Sequence, residues 1–407
     1  MPVVSSNGTR YTTTENSPLI TDDQYTQLLD AVTESTFRGS GMGSFRSSWE
    51  AVMSRYDRFG IRPVPANHEV KGLTFITRPK LNLTSTSLKQ DRVLSCFDSN
   101  DSKNLMFAIR MYMDFKLSRS NLYAGIAHDC PWFADDSPFI VPLINSIRTL
   151  SGSPDFIIDS ETTAGGFYGE DLSFARGSEM NMKAFDIELS FMDFQGGIVA
   201  AIFILWTRYI ANVARGIQTA YPEDIISRRI NYTCSIYRLI LDPSMRVVTK
   251  WAKYTGCFPQ SLPLGNFFNI ASPTDHYIRA SEEFSIPFRC NVFEAMDPII
   301  LQEFNMAVKD FCPNIDAATG GTLQRIPAPP SAEHNFAGIP YIDTGSGVNE
   351  LMWLCQPEEL ENPAETVLRQ ILSGIKIPAD DNTTVSAMAS ASTSQTASAL
   401  AVDDGLV

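Results

Sequence analysis

Residues 184–194, AFDIELSFMDF, alternate cleanly: Phe185, Ile187, Leu189 and Phe191 fall on one face, and Asp186, Glu188 and Ser190 on the other. Successive side chains of a strand point to opposite sides of its sheet, so a period of two over this length specifies a strand with one dry and one wet face. The period then changes. Residues 198–215 carry Arg208, Asn212 and Arg215 at helical spacing in an otherwise apolar run, which predicts a helix buried on most of its faces. A chain that holds both patterns is of the α+β class. No membrane span is predicted here, because the uninterrupted apolar part, 198–206, falls far short of the roughly 20 residues that a crossing needs.

Two more alternations enlarge the β-rich part. Residues 231–241 and 246–254 flank Asp242-Pro243-Ser244-Met245, where Asp-Pro-Ser is type I turn chemistry, and together they predict a β-hairpin. Residues 282–293 place Phe284, Ile286, Phe288, Cys290 and Val292 on the inner face. Pro287 falls on the other face and has no N–H for a ladder, which marks an edge strand or a bulge. A helix is predicted over 298–311. Nearer the N-terminus, Leu73, Phe75 and Thr77 alternate in a strand that starts at Lys71 and that Pro79 ends. Residues 103–117 and 138–150 read as buried helices, the second with Pro142 near its start. Further helices are predicted over 21–32, 47–56 and 363–374. Residues 379–407 are rich in Ala, Ser and Thr and bury little apolar surface, so they are disordered or become ordered only against a partner. The organisation predicted is an extended arm over 1–20, a mixed, helix-rich portion over 21–175, a β-rich domain over 176–312, and an extended C-terminal segment with one short helix over 313–407.

Charge and cysteine usage exclude several function classes. With 46 Asp+Glu against 32 Lys+Arg the net charge is −14, which opposes general binding to nucleic acid or to anionic membranes. The seven Cys form no C-x-x-C pair, so a structural zinc site has no local signature and reduced, mostly buried thiols are expected. The start, MPVVSSNGTRYTTTENSPL, lacks the basic and apolar regions of an export signal. The glycines of 37–48 do not fit a nucleotide-binding loop.

Candidates for chemistry are few. His128-Asp129-Cys130 is the most suggestive triplet, since a Cys beside a His could be nucleophile and base, yet residues this close diverge on a strand or a helix. His68, His276 and His334 stand alone without metal-ligand spacing, and the acid pairs Asp135-Asp136 and Glu282-Glu283 are common surface features. No catalytic, cofactor or metal site is predicted, and the chain is not read as an enzyme. The aromatics are more informative. Phe258, Phe267 and Phe268 lie in GCFPQSLPLGNFF, a loop that either folds back on its own core or anchors a neighbouring subunit.

GLTFITRPKLNL (72–83) resembles a segment of virion structural proteins of large contractile-tailed bacteriophages. WAKYTGCFPQSLPLGNFF (251–268), followed by EEFSIPFRCNVFEAMDPIILQEFN (282–305), resembles the same group. The hairpin, the G-x-F-P loop and the strand ending near a D-P turn are similar to the tail-tube fold. That resemblance implies an antiparallel β-sandwich or barrel-like domain that joins sheets with its neighbours in a ring, here hexameric. It further implies a structural subunit of the virion tail, made in the host cytoplasm and working at the baseplate or tube end among other tail proteins. It carries no expectation of a cofactor, of specific nucleic-acid binding or of a membrane. Phe258, Phe267, Phe268, Phe284, Ile286 and Phe288 are its candidate subunit contacts, several of them expected to be core. The alternatives are a neck or capsid-associated virion protein and a virion-associated hydrolase centred on His128 and Cys130.

Overall fold

The computed structural model describes residues 3–4, 10–11, 36–37, 39–40, 69, 71–128, 130, 133, 137–155, 157–179, 183–268, 283–312, 315, 324–326, 338–344 and 348–355. All of them belong to the compact unit Met1–Glu361. The helices expected over 21–32, 47–56 and 363–374 and the tail 379–407 lie outside the described residues, as do His68, His276, His334, Asp135, Asp136 and Glu282.

The elements used below are β1 (Lys71–Ile76), α1 (Leu105–Met113), α2 (Val141–Ser146), β2 (Ile147–Ser151), β3 (Ile157–Thr162), β4 (Ser173–Glu179), β5 (Phe185–Met192) and α3 (Ile198–Ala214). They continue with β6 (Cys234–Leu241), β7 (Val248–Pro259), β8 (Glu283–Cys290), β9 (Val292–Ala295), α4 (Pro298–Phe311), β10 (Gln324–Ile326), β11 (Ile339–Asp343) and β12 (Glu350–Cys355). The fold is α+β. Its centre is a seven-stranded antiparallel sheet in the order β1-β6-β7-β8-β5-β2, with β9 also paired to β7.

The alternation of β5 places Ile187, Leu189 and Phe191 under α3, whose Val199, Ile202, Phe203, Leu205 and Trp206 share one core with them. Trp206 satisfies its ring N–H by donating to the carbonyl of Tyr232 at 2.9 Å. The hairpin β6–β7 is the spine. Ile236 of β6 faces the α3 core while Tyr237 belongs to a second core on the opposite side, so this strand packs against apolar side chains on both faces. That second core is closed by α4, through Ile300, Leu301, Phe304 and Val308. The start of α4 is set by Asp297, whose carboxylate accepts from the N–H of Ile299, with Pro298 in the first turn.

β7 is longer than its sequence pattern indicated and bends at Gly256, which has φ +68°. Before the bend it pairs with β9, and after it with β8 at Phe288 and Arg289. Residues 283–287 of β8 are not paired to β7 itself, and Pro287 accepts from the N–H of Gln260, just past the end of β7, at 2.9 Å without giving a bond in return. In the segment 313–407, expected to be extended with one helix, β10, β12 and β11 form a three-stranded sheet. Its Ile339, Ile342, Leu351 and Leu354 pack into the α4 core.

Between β1 and α3 lies a helical layer with buried charge. Asp114 ends α1 and caps the next turn, accepting from the N–H of Leu117 at 2.9 Å, the N–H of Leu83 at 2.8 Å and the hydroxyl of Tyr221 at 2.7 Å. Burial pushes its carboxyl up to about 6, against these hydrogen bonds and the charge of Arg110. Arg110 is itself fully buried and donates to the carbonyl of Leu83 and to Asp98.

Candidate assembly interface

The sheet curls until its two terminal strands nearly meet. At the C-terminal end of β1 the gap is bridged by main chain: Ile140 donates to the carbonyl of Ile76 at 2.9 Å, and Arg78 to that of Pro138 at 3.0 Å. A continuation of this pairing would cover the rest of β1. Instead the chain enters α2 at Val141, helped by Pro142 in its first turn, and turns away before it resumes as β2. A groove of about 420 Å³ is left at the seam, lined by Lys71, Leu73 and Phe75 of β1 and by Ile147 and Arg148 of β2 among others. Terminal strands carry unpaired main-chain groups, and this is where such a sheet accepts another chain.

The groove is cationic. Lys71, Arg148 and Arg238 line it, and no Asp or Glu does. Arg238 reaches it from β6, passing close over Gly72 and donating to the hydroxyl of Thr74 at 2.7 Å. A side chain at residue 72 would displace the guanidinium. Burial lowers the pKa of Arg238, and among the described residues no carboxylate pairs with Lys71, Arg148 or Arg238. In a chain of net charge −14 this is a local excess of positive charge.

A second exposed feature follows β2 directly. β3 and β4 form a separate two-stranded antiparallel sheet. Every residue from 157 to 176 that the structure describes is exposed, including Ile158, Phe167, Tyr168 and Leu172. Its tip is organised by local bonds: Thr163 donates to the carbonyl of Leu172 and Gly166 to that of Glu170, both at 2.8 Å. The segment 157–179 holds Asp159, Glu161, Glu170, Asp171 and Glu179 against the single cation Arg176, which pairs with Glu161 at 3.5 Å. A lone two-stranded ribbon is at best marginally stable in water. Large apolar side chains in full solvent on such a ribbon mark a contact surface.

The residues singled out from sequence fall elsewhere. Phe284, Ile286 and Phe288 are 1%, 0% and 0% exposed and pack under α3, with Phe288 at 6.0 Å from the rings of both Phe203 and Trp206. Their reading as subunit contacts is corrected: the alternation that identifies the strand also turns these side chains into the core. Phe258 is not in a loop but near the end of β7, half-buried against Tyr232. Phe268 ends the short helix Leu264–Phe268 and is 79% exposed. Phe267 is in the same helix, but its side chain lies outside the described residues. The hairpin 157–179 was missed; its signal was the glycine-rich TAGGFYGED between two runs that favour strands.

Cys130 is buried in a cluster with Phe107, Tyr112 and Phe133, and His128 ends the helix Ala124–His128. Cys234, Cys257 and Cys290 are buried where the sheet bends. Cys257 and Cys290 have sulfurs 2.8 Å apart, and burial pushes the Cys257 thiol up. Among the described residues no group of His, Cys, Asp or Glu is placed to hold a metal ion, and no helix is long and apolar enough to cross a membrane.

Residues 7–370 match the model of a protein family described as "Putative phage tail tube protein". The chain belongs to this family. It is therefore a structural protein of the phage tail-tube type. No curated protein matches. Among solved structures this tube-type chain is similar to the tube-terminating cap of the anti-feeding prophage, at 16% identity over 37% of this chain and 78% of that one, with a TM-score of 0.21. It is also similar to a sheath/tube terminator of the PVC extracellular contractile injection system, at 14% identity over 37% and 84%, TM-score 0.21. A third is a chain of the PVC sheath-tube complex, at 16% identity over 39% and 82%, TM-score 0.21.

Proposed function

We propose that this chain works as a ring-forming subunit of a contractile phage tail, at the tube end or the baseplate. The observation that carries the ring is the open seam: a sheet that curls toward closure yet, among the described residues, leaves an edge of β1 and of β2 without a paired strand beside a groove. Main-chain groups at such edges gain hydrogen bonds when another chain lies along them, and alternate side chains select the partner. The family match and the likeness of 251–268 and 282–305 to contractile-tail proteins favour the tail over the neck or capsid as its place. Six copies, other tail proteins as neighbours and the virion as location complete the reading. The net charge of −14 suits a passage that DNA crosses without sticking. Its role is assembly rather than catalysis, and Cys130, at 3% exposure, is poorly placed to serve as a nucleophile.

Light scattering of the purified chain across a concentration series tests the reading. A discrete oligomer that grows in with concentration is expected. A monomer at every concentration, together with a Cys130 that alkylates much faster than the other cysteines, would favour the hydrolase instead.

A further inference from the structure

We infer that the acidic hairpin β3–β4 of one copy docks into the cationic seam groove of a second copy of this chain, which fixes the contact as head-to-tail. The inference rests on the assembly reading above and names the two surfaces that meet. The groove offers Lys71, Arg148 and Arg238 without a paired carboxylate among the described residues, beside the apolar Leu73, Val141 and Trp353. The hairpin offers the complement. Asp159 and Asp171 are exposed and carry no ion pair among the described residues, and they stand beside the exposed Ile158, Phe167, Tyr168 and Leu172. Opposite charge steers such surfaces together and fixes their register, while apolar burial holds them. The hairpin follows β2, one wall of the groove, and is exposed throughout 157–176, so this part of it does not fill the groove of its own chain.

Groove and hairpin are different surfaces, so the contact is heterologous. Repeating it in one sense gives a closed ring or an open filament, and only a reciprocal exchange of hairpins about a two-fold axis would close it at two copies. That consequence can be read directly with four forms of the full chain. A groove variant carries Lys71→Glu and Arg148→Glu, and a hairpin variant carries Asp159→Lys and Asp171→Lys; all four positions are exposed. A swap variant carries all four changes.

By light scattering, each two-site variant alone is expected to need about tenfold or more higher concentration than the wild type to assemble. An equimolar mixture of the two is expected to co-assemble with the copies alternating, because an acidic hairpin meets a cationic groove at one contact and a basic hairpin meets an acidic groove at the next. The swap variant is expected to assemble again, which separates lost docking from lost folding. Two-site variants that assemble like the wild type, or a swap variant that stays monomeric, would overturn the docking while leaving the assembly reading intact. A wild type that never assembles would overturn both.

Discussion

Asp114 shows how a single side chain ties three segments together at an electrostatic cost. Its carboxylate receives Leu83, Leu117 and Tyr221, yet its burial raises its pKa to about 6. A carboxyl raised above its unfolded value favours the folded state most when protonated. Its contribution is full below about pH 4 and is lost as pH rises through about 6, roughly 3 kcal/mol in all. Asp114→Asn removes this titration. Urea unfolding of the variant relative to the wild type at pH 4.5 and 7.5 is expected to show the difference moving in the variant's favour by about 2 kcal/mol. No change in the difference between the two pH values would contradict the assignment. At the same scale, Phe288→Ala empties a fully buried site between Phe203 and Trp206 and is expected to cost about 3–5 kcal/mol in unfolding free energy. A loss under about 1 kcal/mol, with assembly impaired instead, would return Phe288 to the interface. Its inward position was legible in the sequence, because alternation reports which face is dry. Alternation does not report whether the dry face meets a helix or another subunit.

At the level of elements, β5, α3, the β6–β7 hairpin and α4 were all readable, since each has a strong period or a capped start such as Asp297-Pro298. Residues 138–150 were not. They read as one helix, but the helix stops at Ser146 and Ile147–Ser151 pairs with β5, so tertiary pairing overrides a locally helical pattern. The hairpin 157–179 was hidden for a different reason: with no core to face, its apolar residues follow no burial pattern. The bend in β7 was also silent in the sequence. Gly256 has φ +68°, and a Cβ there would sit 2.7 Å from the side-chain Nδ2 of Asn291, at the β8–β9 corner. Gly256→Ala is expected to cost about 1–3 kcal/mol by chemical denaturation. A neutral result would mean that the bend tolerates an ordinary residue and is not held by this glycine.

For the molecule as a whole, two cores back one curled sheet, and the surfaces left over are a cationic seam and an acidic hairpin. Sequence carried the family through its strand and loop segments, but it could not carry the seam, which is made where β1 and β2, distant in sequence, come close in the fold. A net charge of −14 also masked the local cationic groove, since composition averages over surfaces. Association through charged surfaces is expected to weaken as salt rises from 0.05 to about 0.5 M, because screening shortens the reach of the charges. The central claim is that copies of this chain close into a ring. Electron microscopy of the purified wild-type protein, at the concentration where scattering shows association, tests it most directly. The account expects end-on views of closed rings with an axial channel, single or stacked. Monomers alone, or compact two-fold dimers without a channel, would contradict it.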